Sequence, residues 1–277
     1  MDWELQRRVA LRVSEKAWTA GVEEVAKRIS KIEAEYLLEK TRLNEELYLD
    51  DQTAKVTRRP RPPGRPVALP TLLQALRDDL DDLAAGNLLP RGCYEFRVLD
   101  RMLSKYDKQP DRIEMDVVKV LGLVQKQISE GTLPAGEPAL LGLCTSLDAV
   151  KHDIYAKYPD IREARAQRMA EAVRGADPGE IEGAKEALEV LPELVEEELA
   201  EEIIEDLEEV VEASENGQTP DSDAVMRSGN RLGKIWLILS KAVAGSGIGA
   251  AAVIAVNEAL PILQGLWQLM ARLLGIG

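Results

Sequence analysis

From Ala242 to Asn257 the chain runs sixteen residues without a charge, in a sequence of which 30% is Asp, Glu, Lys or Arg. Water solvates such a run poorly, so the fold must place it in lipid, in the protein's own core, or against another chain. That choice constrains everything that precedes it.

Elsewhere the apolar residues recur every three or four positions, the period of a helix with one buried face. Leu73, Leu76, Leu80 and Leu83 mark one such face, ended by Gly86, and Ile113, Val117, Val120, Leu121, Val124 and Ile128 mark another, ended by Gly131. A third helix is expected over Ala139 to Tyr158, and Pro159 opens a more basic one carrying Arg162, Arg165 and Arg168. Almost no segment alternates apolar and polar residues between turn dipeptides, and aromatic content is only 4%. The expected class is all-α: a multi-helix protein with a long N-terminal helix and an apolar C-terminal helical hairpin.

Five segments follow from composition. Residues 1–50 read as one long helix for assembly, with Trp18, Val22, Val25, Ile29, Ile32 and Tyr36 at heptad-like spacing and Leu43 seven residues on. So narrow a stripe requires a partner helix, from this chain or a second copy. Residues 51–71 hold five prolines and four arginines between Val56 and Pro70, which predicts an extended connector. Within it Pro60 to Arg65 fits a proline-type docking peptide, but short proline motifs arise by chance and a spacer is the expected reading. Residues 72–175 form the helical core, 176–220 an acidic amphipathic segment, and 221–277 an apolar helical module.

The acidic segment carries the net charge of the whole chain. Between Glu180 and Glu212 stand fifteen acids against one base, Lys185, a balance of −14 that equals the total of −14 for all 277 residues. Leu188, Leu191, Val195, Leu199, Ile203, Leu207 and Val210 still recur at helical spacing, with Pro192 suited to the first turn of a second helix. A basic protein surface, or the arginines at Arg58 to Arg65, is the expected counterpart of the 180–212 face.

Ile235 to Val256 is long enough to cross a bilayer, about 33 Å as a helix against roughly 30 Å of hydrocarbon. Its Leu, Ile, Val and Trp residues contribute roughly −3 to −5 kcal/mol to insertion, whereas Lys241 costs about 2.5 to 3.5 near mid-depth, so insertion is marginal. Gly245 and Gly249 have the spacing that lets two apolar helices approach closely. Ile235, Trp236, Ile238, Lys241, Gly245, Gly249, Val253, Ile254, Leu266, Trp267 and Met270 are therefore the candidate membrane or assembly interface. Burial of a helical hairpin in a soluble core or oligomer competes directly with the membrane reading. Gly245-x-Gly247-x-x-Ala250 formally matches a dinucleotide fingerprint, but no strand precedes it and no βα unit follows.

No catalytic, cofactor-binding or metal-ligating residue is expected. His152, the only histidine, lies with Asp148 and Cys144 at four-residue steps, and Cys144 and His152 would stand about 12 Å apart along one helix, too far to act as a nucleophile–base pair. The helical glutamate pairs such as Glu198 and Glu202 lack the Glu-x-x-His partners of di-metal bundles. An acidic chain with few aromatics is not expected to bind nucleic acid, though an acidic helix could imitate a phosphate backbone. With two cysteines and no charged-then-apolar leader at Met1, a reducing cytoplasm is the expected setting, at the inner face of a membrane if the tail engages lipid. The expected function is a non-enzymatic helical interaction protein. Its partners are itself or another helical protein and a lipid membrane, the latter as a conditional targeting or permeabilising effector of toxin or defence type. A soluble scaffold or adaptor with a buried apolar tail is the alternative.

Overall fold

The structure, a computed structural model, describes residues 45–50, 52–60, 67–134, 137–174 and 178–243, together with residues 5, 6, 9, 10, 13, 21, 22, 25–30 and 32. The chain divides into two compact units, one of Met1–Glu46 with Arg58–Gly64, the other of Leu47–Thr57 with Arg65–Gly277. The described elements are the hairpin strands β1 (Glu45–Leu49) and β2 (Val56–Pro60), then α1 (Leu69–Ala85), α2 (Tyr94–Lys105), α3 (Pro110–Ser129), α4 (Pro138–Lys157), α5 (Pro159–Arg174), α6 (Pro178–Leu194), α7 (Glu197–Glu215) and α8 (Ser222–Val243). The protein is an all-α, multi-helix fold, as its periodicity requires.

In the smaller unit Leu5, Val13, Val25 and Ile32 form a buried cluster with Val9 and Ile29 packed on it. The single helix expected over residues 1–50 is not what forms. Gly21 leaves the helix at φ +110°, and Glu45–Leu49 is a strand. Apolar seam residues Val25, Ile29 and Ile32 thus meet Leu5, Val9 and Val13 of the same chain, while Val22 is 84% exposed. Trp18, Tyr36 and Leu43 lie outside the described residues.

The connector also departs from expectation, because Val56–Pro60 pairs with β1. Its turn is closed locally: the Asp50 carboxylate accepts from the Gln52 and Thr53 amides, and Ala54 takes φ +56°. Pro60 is tolerated because it ends the strand, where no ladder donor is needed. The docking motif at Pro60 to Arg65 falls almost wholly outside the described residues.

Two clusters build the larger unit. Helices α1 to α4 bury Leu76, Leu80, Leu83, Leu99, Met102, Ile113, Val117, Leu140, Leu143 and Leu147, each essentially excluded from water. Helices α5 to α8 and Val56 form the other, with Met169, Val173, Leu191, Leu199, Ile203, Leu207, Val210, Leu232, Ile235 and Leu239. At about 1.5–3 kcal/mol for each large side chain removed from water, these clusters are the main stabilising term.

Helix ends obey local rules, with one shift. At α3 and α7 the residues Gly131 (φ +72°) and Gly217 (φ +65°) take the left-handed position, and the next amides, Thr132 and Gln218, reach back to Gln127 and Ala213. At α1 the left-handed residue is Asn87 (φ +56°), not Gly86, with Leu88 N–H donating to Leu83. Pro192 sits inside the last turn of α6 instead of opening α7, and the break falls at Val195, which bridges to Val56.

The segments 72–175, 176–220 and the start of 221–277 do not stand apart: α4, α5, α6, α7 and α8 all contribute to the two clusters of the larger unit. Placing Asp at position 32 should lower the melting temperature sharply, since an unpaired charge buried there costs several kcal/mol. Val22→Asp should move stability by less than about 0.5 kcal/mol. Thermal unfolding of both variants checks the pair, and equal destabilisation would show that Val22 belongs to the same seam.

Candidate functional site

The acidic helices find their described counter-charges on α8. Asp206, in the middle of α7, accepts from Arg227 at 2.8 and 3.3 Å, and Glu202, one turn earlier, accepts from Arg231 at 2.8 Å. Arg231 also lies 3.8 Å from Asp206. Acids at 202 and 206 and arginines at 227 and 231 are each one helical turn apart, so antiparallel packing brings the two pairs into register. This ladder runs along the edge of the apolar contact made by Leu199, Ile203, Leu207, Leu232 and Ile235. Elsewhere on the segment Lys185 meets Glu215 at 2.6 Å, and Thr57 donates to Glu196.

Opposite the apolar stripe, α7 presents Glu197, Glu201, Glu205, Glu208 and Glu212 to solvent. Near its C-terminal half Glu209 is pushed above the ordinary carboxylate range by partial burial and by Asp221, against the opposing pull of Arg227. The outer face is a negative surface, and the inner one is already paired within the chain.

A second polar centre lies between α3, α4 and α5. Glu114 has no exposure and accepts from Nε and Nη2 of Arg165, at 2.7 and 2.9 Å, and from the Tyr155 hydroxyl at 2.8 Å. Burial raises the Tyr155 phenol, reinforced by the Glu114 charge, so Tyr155 remains a donor. For Arg165 burial opposes the charge but Glu114 more than compensates, raising its pKa. Both oxygens of this carboxylate are engaged, which makes it a clamp between helices. Beside it an open cleft of about 250 Å³ is lined by Asp111, Glu114, Met115, Asp160, Ile161, Ala164 and Arg168.

Cys144, Asp148 and His152 all stand on α4. Cys144 is buried in the core, and Asp148 turns to Lys151 at 2.7 Å, with the His152 ring 3.8 Å away. Burial would raise the Asp148 carboxyl, but Lys151, His152 and Lys234 outweigh it and hold the group well below the usual range. Cys93 accepts from the Phe96 amide as the N-cap of α2, and burial raises its thiol. Among the described residues no group of three His, Cys, Asp or Glu side chains could hold a metal ion.

The structure places the candidate tail residues unevenly. Ile235 and Trp236 are 1% and 6% exposed, Ile238 is half-buried, and the Lys241 backbone lies in the last turn of α8. Gly245, Gly249, Val253, Ile254, Leu266, Trp267 and Met270 lie outside the described residues. In this structure Ile235 and Leu239 belong to the α5–α8 cluster and Trp236 to the α1–α4 cluster. Among the described residues no helix is long and apolar enough to cross a membrane. Sequence reasoning missed Arg227 and Arg231, whose one-turn spacing mirrors Glu202 and Asp206, and it read Arg165 as part of a basic helix face when its fork is buried on Glu114.

Two measurements test these centres. Arg227→Ala should cost about 1–3 kcal/mol by leaving Asp206 poorly paired, and the double variant with Asp206→Ala should be less destabilised than the sum of the singles. Asp148, with its folded pKa lowered, contributes stability that is complete above the unfolded value of about 3.9 and is lost as pH falls through the folded one. Asp148→Asn should therefore flatten the acid limb of a denaturation series below about pH 4.

No protein-family model, no curated protein and no solved structure matches this chain.

Proposed function

We propose that this chain is a non-enzymatic helical interaction protein whose folded body carries an apolar C-terminal segment to a lipid membrane, in the manner of a conditional membrane-targeting or permeabilising effector. One observation supports this reading above the others. Helix α8, buried at Ile235, Trp236, Leu239 and Ser240, extends to Val243, and the sequence continues without a charge to Asn257, so a packed stem precedes the segment least suited to water. The body supplies the anchorage for that stem through Trp236, Leu239 and the Arg227 and Arg231 ladder. The solvent-facing glutamates of α7 oppose approach to anionic lipid, so neutral or positively charged bilayers are the favoured partner.

The competing use of the segment is a buried interface with another copy of the chain, for which the Gly245 and Gly249 spacing is suited. Flotation of the full chain with vesicles separates the two. The wild type should float with neutral vesicles, and Val253→Asp with Ile254→Asp should abolish flotation, since each acid costs about 2.5–3.5 kcal/mol at depth. Failure of the wild type to float, with a fall in oligomeric mass in the double variant, would replace the membrane by self-assembly.

A further inference from the structure

We infer that the cleft between α3 and α5 binds a zwitterionic phosphorylated amino alcohol, of the phosphocholine or phosphoethanolamine type. Its assignment to a lipid headgroup rests on the membrane reading above and deepens it, because it names the lipid chemistry that the folded body recognises.

The cleft carries charges of both signs. Asp111 and Asp160, in the first turns of α3 and α5, supply acids to its lining, and Asp111 has no hydrogen bond or ion pair among the described residues. Arg168 supplies the cation. Its Nε donates to the Ala164 carbonyl at 3.0 Å, which turns the guanidinium back along α5 and leaves both Nη atoms without an acceptor among the described residues. The guanidinium therefore stands near the level of residue 164, one turn and about 6 Å along the axis from Asp160. An ammonium and an oxyanion joined by a short linker can be held at both ends, the oxyanion by the guanidinium fork.

The rest of the lining is apolar. Met115 of α3, 43% exposed, joins Ile161 and Ala164 of α5, and such surface suits the methylenes or N-methyl groups of the ligand. Glu114 also lines the cleft, but its charge is already met by Arg165 and Tyr155. It adds a rigid wall and no binding charge. At about 250 Å³ the cleft is smaller than the roughly 300–1,000 Å³ of pockets for drug-sized ligands, which limits the occupant to the size of a headgroup. A simple anion fits badly, because it would meet two acids for one arginine. First-turn acids also complement their helix dipoles, yet that role asks for neither an exposed methionine nor an arginine beside them.

Titration of the isotope-labelled full chain with phosphocholine, choline and inorganic phosphate at fixed ionic strength tests the chemistry, and flotation on phosphatidylcholine vesicles tests the source. Phosphocholine should give saturable amide shifts centred on Asp111 to Met115 and Asp160 to Arg168, and bind about threefold or more tightly than choline or phosphate alone. Asp111→Asn and Arg168→Gln should each weaken it by about threefold or more at unchanged melting temperature, with Arg168→Lys recovering part of the loss. The double variant should also float less than wild type. Absence of saturable shifts, or choline binding as tightly as phosphocholine, overturns the inference even where the wild type floats. Weakened phosphocholine binding in the variants with flotation unchanged makes the ligand a free phosphorylated amino alcohol and overturns the lipid source. If phosphocholine binds at Asp111 and Arg168 but the wild type does not float, the membrane reading fails and the zwitterion site stands without it.

Discussion

Helix α8 is the element on which the larger unit depends. One of its faces closes the α5–α8 cluster through Leu232, Ile235 and Leu239, and another places Trp236 among the leucines of α1 to α4. A helix shared between two clusters couples them, because neither can repack without moving side chains that the other needs. At Gly229 of α8 a Cβ would stand 2.9 Å from the Met169 methyl of α5, the movable end of a flexible side chain. The Arg227 and Arg231 ladder then fixes how α8 lies along α7.

Charge in this protein acts in two distinct ways. Where acids meet arginines in register, as at Glu202 and Asp206, they direct helix pairing at the edge of an apolar contact. Where they face solvent along α7 they add little to stability and set the sign of the surface. Glu114 belongs to neither group. Its full burial is affordable only because Arg165 and Tyr155 occupy its oxygens, and removing any one of them would leave a charge or a donor without compensation.

The proposed membrane role is consistent with the same economy of burial. The body uses Ile235 to Ser240, the first part of what reads in sequence as one long apolar tail, internally.

The sequence by itself determined the all-α class and the inward faces of its longest helices. Leu73, Leu76, Leu80 and Leu83, and Ile113 through Ile128, could be read directly, because helical periodicity is a local property of the chain. The separation of Cys144 from His152 followed from helix rise alone. Tertiary structure decided the rest. Whether Val25, Ile29 and Ile32 meet another chain or Leu5, Val9 and Val13 is invisible to a heptad count, since both partners present the same apolar stripe. The strand at Val56–Pro60 depends on pairing with Glu45–Leu49 across a short turn and on the Val195 bridge, remote in sequence, and these contacts override the local preference of arginine and proline. Likewise the burial of Arg165 on Glu114 and the claim of both clusters on Ile235 to Leu239 come from helices far apart along the chain, and no local pattern records which of two apolar surfaces a residue will meet.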